Sequence, residues 1–259
     1  MKQDHPGLEI AAGNRWYVSD QFHAQLGSRG RRRLIEYRWR VFGTMLREWR
    51  TRHGHAGVLR VLDAGCGDGI NLVGLREVAA RDNLQVSLFG VDYNPLRLSR
   101  ARQADPLVRL QQGSLYGLPF AEGTFDVVLC NQVIEHVPDL DTALCELVRV
   151  LRPGGLLIVG TPNEGCLMAR TRNRVIQPFI GRTTDHVHFF TWHTLTRALS
   201  GVGLGVQQIQ RETFFFPCSY VNMCFTELGL GHWLMAGLRR LFPSQAGGLI
   251  VASEKPLHA

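Results

Sequence analysis

The chain has 259 residues, a length that fits one or two domains. Hydrophobic residues make up 45% of it and charged residues 20%, which excludes a largely disordered chain. The formal net charge of +7 is compatible with nucleic acid, an anionic membrane or an acidic substrate, and it selects none of them.

Cysteine usage and the first residues bear on location. The six cysteines form no C-x-x-C pair, so neither a zinc ribbon nor a thioredoxin-type site is expected. Cys66, Cys130 and Cys145 fall in segments that are predicted to be buried, which fits free thiols in a reducing compartment. The N-terminus lacks the apolar stretch of a signal peptide. These features predict a cytoplasmic protein, either free or peripheral to the inner membrane.

Residues 1–56 are polar, and six arginines lie between positions 29 and 40. Apolar residues recur every three or four positions from Leu34 to Trp49, which predicts an amphipathic helix over about residues 32–50. The helix either packs on the edge of the main domain with its arginines in water, or presents them to RNA or phospholipid. We assign residues 1–56 to an N-terminal helical lid segment and residues 57–259 to the main domain.

From residue 58 onward, predicted strands alternate with predicted helices. The strands lie near residues 58–62, 86–91, 108–111, 125–130, 156–161, 206–212 and 248–254. This alternation indicates parallel βαβ units with right-handed crossovers. The expected fold class is α/β, with a mostly parallel sheet of seven strands and helices on both faces. Residues 162–245 contain an irregular loop and an apolar C-terminal insertion.

A glycine-rich turn follows the first strand. Gly65, Gly67 and Gly69 form a G-x-G-x-G pattern, where backbone amides at a helix N-terminus favour a nucleotide. Ile70 stands where a dinucleotide-binding fold has its third glycine, and the absence of any Gly-Lys pair excludes a P-loop. Asp92 ends the second strand, where a carboxylate accepts hydrogen bonds from ribose hydroxyls. Asp92 also suits a helix N-cap ahead of Pro95, and the two roles are compatible.

These motifs resemble those of the class I S-adenosylmethionine-dependent methyltransferases, in the subgroup that methylates small molecules such as ubiquinone precursors. The resemblance is strong over residues 58–161 and rests on six segments in the family's order. They are VLDAGCGDG at 61–69, GVDYN at 90–94, LPF at 118–120, FDVV at 125–128, VIEHV at 133–137 and RPGG at 152–155. The resemblance implies a Rossmann-like fold and S-adenosyl-L-methionine as the cofactor.

The resemblance also implies a role for ten residues at the cofactor. They are Asp63, Gly65, Cys66, Gly67, Gly69, Asp92, Tyr93, Ser114, Leu115 and Asn131. Asp63 and the glycine turn would hold the methionine part, Asp92 the ribose, and Tyr93 would pack on the adenine. Ser114 stands where the family often has an aspartate at the adenine edge, and Asn131 would lie beside the cofactor amino group.

Three histidines are candidate catalytic groups. If the acceptor is a hydroxyl, a general base helps methyl transfer, and histidine is suited to that role. His136 is the first candidate because it follows the strand that ends at Asn131, although it could instead pack the cofactor loop. His186 and His188 are expected on one side of an extended segment at the acceptor side. No third ligand stands at a suggestive spacing beside them and Asp185, so no metal site is predicted.

Two features constrain the acceptor. Four arginines in residues 162–190 would suit a carboxylate or a phosphate. Residues 214–238 are apolar and carry one formal charge, Glu227, followed by Arg239 and Arg240. Pro217 and the glycines argue against a membrane-spanning helix there. The segment 214–240 either covers the active site as helices or touches lipid with its arginines at the headgroups.

The predicted activity is methyl transfer to a small-molecule or lipid- or glycan-linked acceptor, with oxygen favoured over nitrogen and carbon. An RNA methyltransferase is the alternative on the same fold. It is weakened because residues 131–134 read Asn-Gln-Val-Ile where enzymes that methylate amino groups of bases have Asn/Asp-Pro-Pro-Tyr/Phe. A catalytically inactive partner subunit is the other alternative, opposed by the intact glycine turn. Nucleic acid is therefore not the expected partner.

Overall fold

Within the described residues, seven strands form one sheet. They are β1 Leu59–Ala64, β2 Val86–Asp92, β3 Arg109–Gln112, β4 Phe125–Asn131, β5 Leu151–Pro162, β6 Gly205–Arg211 and β7 Gly248–Glu254. A computed structural model describes residues 19–176, 186–212 and 229–257. The strand order is β3-β2-β1-β4-β5-β7-β6, and only β7 pairs antiparallel, with β5 and β6. The predicted seven-stranded, mostly parallel α/β sheet is confirmed.

Burial of the strands follows their position in the sheet. Every residue of the central strand β4 is buried, because both faces of a parallel sheet are covered. The edge strands β3 and β6 are more polar and mostly half-buried or exposed. The central strands are therefore nearly continuous runs of apolar residues in the sequence, and such runs predict where these strands end.

The described α-helices lie between and after the strands. They are α1 Gln21–Leu26, α2 Arg29–Arg52, α3 Ile70–Arg81, α4 Pro95–Ala104, α5 Leu140–Val150, α6 Leu167–Thr171, α7 Trp192–Gly201 and α8 Gly229–Leu241. Short turns of other types cover Ile134–His136, Arg172–Ile176 and Pro243–Gln245. Side-chain caps fix several helix starts, since Ser28, Asn94, Asp139 and Thr191 each accept a backbone N–H.

Two hydrophobic clusters cover the two faces of the sheet. Helices α2 and α3 pack on one face, through residues such as Trp39, Phe42 and Leu75. Helices α5 and α7 pack on the other, through residues such as Leu147 and Leu195. Helices on both faces, as predicted, leave the carboxyl ends of the strands open for a ligand.

The N-terminal helix α2 is longer than the predicted span of 32–50 and packs on the sheet with a buried face that includes Trp49. Several of its arginines pair with carboxylates of the main domain. Arg38 binds Glu212 in two contacts, Arg47 binds Asp82, and Arg52 binds Glu254. These contacts support the interpretation of α2 as a packed helix.

Close packing of α2 on α3 depends on Gly74. A Cβ atom at Gly74 would lie 2.3 Å from ring atoms of the buried Trp39. Alanine would gain about 1 kcal/mol in helix propensity, but overpacking a core costs about 1–3 kcal/mol. We expect Gly74→Ala to destabilise the protein by up to about 2 kcal/mol in urea unfolding. Gly237→Ala is the matched control because its Cβ meets nothing within 4 Å, and equal effects of the two changes would contradict the packing argument.

The cysteine prediction was partly wrong. Cys66 and Cys130 are buried free thiols, but Cys145 is exposed. The buried face of α5 carries Ala143, Leu144, Leu147 and Val150, so position 145 points away from the core.

Some predicted segments lie outside the described residues. These are residues 1–18 of the lid segment, residues 177–185 of the acceptor-side loop with Arg182 and Asp185, and residues 213–228 of the apolar insertion. The rest of the apolar insertion is described and includes α8. Across the described helices, none combines the length and apolar character that crossing a membrane requires.

Candidate functional site

A cavity of about 420 Å³ lies at the carboxyl ends of β1, β2 and β4. Loops at this edge of an open α/β sheet are where such folds bind ligands. The lining residues are Gln25, Ile35, Arg38, Gly65, Cys66, Asp68, Ile70, Asn71, Val91, Asp92, Tyr93, Arg97, Gly113, Ser114, Leu115, Tyr116, Asn131, Gln132, Val133, His136, Val137 and Pro138.

The glycine turn connects β1 to α3 and bends tightly beneath the cavity. Gly65 has a φ of +81°, and a Cβ atom there would lie 2.6 Å from the Val133 side chain. Gly69 has a φ of +85° and precedes the first turn of α3. Only glycine tolerates this combination of left-handed backbone and close approach. The turn therefore presents backbone amides at a helix N-terminus, which favours a polar or anionic ligand group.

Asp92 lies at the end of β2 and is 5% exposed. Its Oδ2 accepts the N–H of Gly67 at 2.9 Å, and its Oδ1 accepts the N–H of Asn94 at 2.9 Å. Burial raises the pKa of this carboxyl, while the Arg97 guanidinium and the two backbone N–H groups oppose the increase. The carboxylate is thus fixed on the glycine turn with lone pairs left to face the cavity.

Asp63 lies at the end of β1 beneath the turn and is fully buried. Within the described ranges, neither carboxylate oxygen has a hydrogen-bond partner. Burial raises its pKa to about 7, the neighbouring Asn71 side chain opposes the increase, and the Asp92 carboxylate adds to it. A buried carboxylate without a partner is costly, so a cationic ligand group or a bridging water would satisfy it.

Asn131 and Gln132 end β4 at the cavity. Asn131 is 8% exposed, and its Oδ1 packs against Gly160, whose Cβ position lies 2.0 Å from that atom. Gln132 has a φ of +58°, which is uncommon for a residue other than glycine. Its N–H donates to the Gly160 carbonyl at 2.7 Å. Backbone strain of this kind concentrates at ligand sites, and no sequence pattern had pointed to Gln132.

The N-terminal segment closes one side of the cavity through Gln25, Ile35 and Arg38. Asp68, in the glycine turn, anchors this segment. Its Oδ2 accepts the N–H of Gln21 at 2.7 Å and that of Phe22 at 3.3 Å, and its Oδ1 accepts from Arg97 Nε at 3.1 Å. Neither Asp68 nor Arg97 had been singled out from the sequence, because their partners lie 47 and 29 residues away.

The structure brings two of the three candidate histidines, His136 and His186, together, whereas His188 turns elsewhere. His136 lines the cavity, and its ring contacts that of His186 at a centroid distance of 5.0 Å. His188 Nε2 lies 2.9 Å from the Val137 carbonyl oxygen. Neither His186 nor His188 is among the described residues that line the cavity. His136 is therefore the imidazole best placed to meet a ligand.

Glu135 and Glu164 flank His186. Glu135 is 1% exposed, and burial raises its pKa. Glu164 Oε1 lies 3.4 Å from His186 Nδ1, and Arg172 Nη2 donates to both of its carboxylate oxygens. Although burial opposes it, the contacts with His186 and Arg172 lower the pKa of Glu164. A cluster of carboxylates and imidazoles thus adjoins the cavity behind His136.

Comparison with known proteins agrees with this architecture. Residues 62–159 match the sequence model of a family described as a methyltransferase domain. A protein of Mycolicibacterium smegmatis named "Probable S-adenosylmethionine-dependent methyltransferase" is 34% identical over 57% of this chain and 52% of its own length. The ubiquinone biosynthesis O-methyltransferase of Aeromonas salmonicida is 31% identical over 58% of this chain and 64% of its own length. Residues 62–159 thus match a methyltransferase domain, and the Mycolicibacterium smegmatis relative is named as S-adenosylmethionine-dependent.

The chain spans 52% and 64% of the lengths of these two relatives. Among solved structures, phosphoethanolamine N-methyltransferase 2 of Haemonchus contortus, in complex with S-adenosyl-L-methionine, has a TM-score of 0.54. It is 18% identical, and the match covers 82% of this chain and 52% of that one, so it shows the shared fold.

S-adenosylmethionine is the cofactor of this domain, and the cavity fits it. Seven of the ten predicted residues line the cavity, namely Gly65, Cys66, Asp92, Tyr93, Ser114, Leu115 and Asn131. The other three, Asp63, Gly67 and Gly69, are not lining residues. Asp63 is the buried carboxylate that the resemblance implies for the methionine part of the cofactor, and Gly67 and Gly69 have the positive φ angles of the turn. Asp92 lines the cavity at the end of β2, where the resemblance implies a carboxylate for the ribose hydroxyls.

Anchoring of the N-terminal segment can be tested at Asp68. Asp68→Asn removes the negative charge of the carboxylate that accepts hydrogen bonds from two backbone N–H groups of α1 and from the Arg97 guanidinium. Hydrogen bonds to charged groups contribute about 1.5–3 kcal/mol, of which asparagine retains part. We expect amide hydrogen exchange at Gln21 and Phe22 to report about 1–2 kcal/mol less protection. Amides of α5 are the internal control, and uniform loss across both helices would indicate global destabilisation instead.

Proposed function

We propose that this protein transfers the methyl group of S-adenosylmethionine to a hydroxyl of a small-molecule or lipid- or glycan-linked acceptor. The carrying observation is that His136 lines the same cavity as Gly65 and Asp92, the residues of the cofactor cradle. The cofactor supplies an electrophilic methyl group on its sulfonium. The protein then needs chiefly to hold the acceptor oxygen in line with that methyl, at about 3 Å.

The wall contributed by the N-terminal segment supports a small acceptor. Gln25, Ile35 and Arg38 line the cavity, so the N-terminal segment adds one amide, one apolar and one basic side chain to its wall. Arg38 is held by Glu212. The name of the Aeromonas salmonicida relative, a ubiquinone biosynthesis O-methyltransferase, favours oxygen as the methylated atom. Among the arginines between positions 29 and 40 that motivate the RNA methyltransferase alternative, Arg38 is bound by Glu212 and the other five are exposed.

Calorimetric titration with S-adenosylhomocysteine tests the cofactor half of this proposal, with NAD as the negative control. We expect S-adenosylhomocysteine to bind with a micromolar dissociation constant and NAD not to bind. Methyl transfer from isotope-labelled S-adenosylmethionine to extract fractions then tests the acceptor half. We expect label in small-molecule or lipid fractions as a methoxy group, identified by NMR. Loss of the labelled product after ribonuclease treatment would favour RNA, and failure of the folded protein to bind would favour an inactive partner subunit.

A lipid-linked acceptor would require contact with a membrane surface, which we propose for the segment 214–240. Its described part belongs to α8, where Trp233 is 77% exposed and Arg240 is exposed, and Leu241 directly after the segment is 73% exposed. Exposed apolar side chains with a neighbouring arginine suit the interface of an anionic bilayer.

We expect the protein to co-sediment with phosphatidylglycerol vesicles and Trp233→Ser to weaken that co-sedimentation. Leu107→Ser is the matched control, since Leu107 is also 77% exposed but follows α4. Equal binding of both variants would contradict this contact.

A further inference from the structure

Three side chains from two distant segments converge beside the cavity. One potential ligand atom from each of Glu135, His136 and His186 lies within 4.8 Å of the other two. Glu135 and His136 belong to the short turn after β4, whereas His186 lies 50 residues further along the chain. The N–H groups of Val187 and His188 both donate to the Glu135 carbonyl, at 2.8 and 3.1 Å. The two segments are therefore fastened together at the point where the three side chains meet.

Glu135 is the buried member of this cluster and is only 1% exposed. Its Oε2 receives the Thr161 hydroxyl at 3.3 Å. Its Oε1 has no hydrogen-bond partner in the part of the chain that the structure describes. Burying a carboxylate oxygen without a partner costs free energy unless a proton donor or a cation satisfies it. The orphaned oxygen thus indicates that the cluster accommodates a further group.

Glu164 lies on the other side of His186, near its Nδ1 atom but outside hydrogen-bond geometry. The His186 Nδ1 atom lies 3.4 Å from Glu164 Oε1, and Arg172 and Asn173 donate to the same carboxylate. This leaves Nε2 as the remaining nitrogen of the His186 ring. In metal-binding histidines, the N–H of the second ring nitrogen commonly donates a hydrogen bond to a carboxylate, which orients the ring and raises its basicity. The surroundings of His186 therefore match those of a metal ligand.

We propose that Glu135, His136 and His186 bind a divalent transition-metal ion of the zinc class. Two imidazoles and one carboxylate suit zinc or its neighbours, whereas magnesium prefers oxygen ligands. Bonds of about 2.0–2.2 Å require the three ligand atoms to approach one another from the distances seen here. Three protein ligands leave a fourth position open, as in catalytic zinc sites. Because His136 lines the cavity, the ion would lie at its wall and could bind an acceptor oxygen, a role that rests on the proposed function.

Titration of the untagged, metal-free protein with Co²⁺ tests the site without any methyl transfer. We expect one equivalent to bind and to give visible absorption bands typical of a tetrahedral or five-coordinate site. Zn²⁺ should abolish the bands, and millimolar Mg²⁺ should not. Inductively coupled plasma mass spectrometry would count the bound ion independently. Cys145→Ser controls for the exposed thiol.

Two variants assign the ion to this cluster. His186→Gln removes a ligand and should abolish the bands, while Glu164→Gln should weaken Co²⁺ binding by about 10–100-fold through the orientation of His186. His193→Gln is the matched control, because His193 is exposed on α7 and stacks on Trp192. S-adenosylhomocysteine binding by the same samples shows that each variant is folded.

Absence of stoichiometric Co²⁺ binding by a protein that binds S-adenosylhomocysteine would overturn the metal site and leave the proposed function standing. Unchanged binding in both His186→Gln and Glu164→Gln would overturn it equally. Conversely, Co²⁺ binding that these variants abolish or weaken would support the site even if no methyl acceptor were found. If His186→Gln does not fold, the Glu164→Gln result decides.

Discussion

Asp92→Ala should weaken binding of S-adenosylhomocysteine by roughly 2–3 kcal/mol, or about 30- to 160-fold in the dissociation constant. The carboxylate is fixed by the N–H groups of Gly67 and Asn94, and its remaining lone pairs face the cavity. Alanine removes a charge-assisted, two-point contact with the ribose hydroxyls and releases Gly67 from its partner. Isothermal titration calorimetry at one pH and one salt concentration gives the difference directly.

Asp105→Ala is a matched control for that experiment. Asp105 is 6% exposed, follows α4, and accepts the N–H of Leu107 two residues on, much as Asp92 accepts that of Asn94. It also binds Arg76, but it does not line the cavity. We expect Asp105→Ala to lower thermal stability with unchanged ligand affinity. Affinity that Asp92→Ala leaves intact would remove the ribose assignment.

The central fold could be predicted because each step of it is local in the sequence. Each central strand is a run of apolar residues that ends at a polar residue, as at Asp63, Asp92 and Asn131. In a parallel sheet these ends meet at one edge, so their convergence follows from the alternation of strands and helices. The resemblance to the methyltransferases then attached a chemical role to each end.

The remaining parts of the site depend on contacts between segments that no periodicity links. Asp68 could not be recognised as an anchor of α1, because its partners are backbone N–H groups that every residue carries. His186 was paired with His188 from strand-like spacing, but the chain turns so that His186 meets His136 while His188 contacts Val137. Glu135 belongs to the VIEHV segment at 133–137, but its sequence position does not reveal that His186 lies beside it in the fold. Spacing alone therefore offered no third metal ligand.

Asp63→Asn should change stability and ligand binding in opposite directions. Burial raises the pKa of Asp63 from 3.8 to about 7, so the folded protein favours the protonated acid. When folding raises the pKa of a carboxyl, the group does not change the free energy of unfolding below its unfolded pKa. As the pH rises from the unfolded to the folded pKa, it lowers the free energy of unfolding increasingly. Each pKa unit corresponds to about 1.4 kcal/mol. Without ligand, the free energy of unfolding of Asp63→Asn should increase relative to that of the wild type by about 2–4 kcal/mol between pH 4 and pH 8.

With ligand, we expect the same carboxylate to favour binding, because the resemblance implies that Asp63 holds the methionine part of the cofactor, whose ammonium would pair with the buried oxygens. Wild-type affinity for S-adenosylhomocysteine should therefore rise between pH 6 and pH 8 as Asp63 ionises, and Asp63→Asn should bind weakly at both pH values. Urea unfolding and calorimetry at each pH measure the two effects, with the exposed Glu122→Gln as the control carboxylate. Parallel stability curves for wild type and Asp63→Asn would mean that Asp63 is already satisfied without ligand, and the electrostatic role of this buried aspartate in cofactor binding would have to be abandoned.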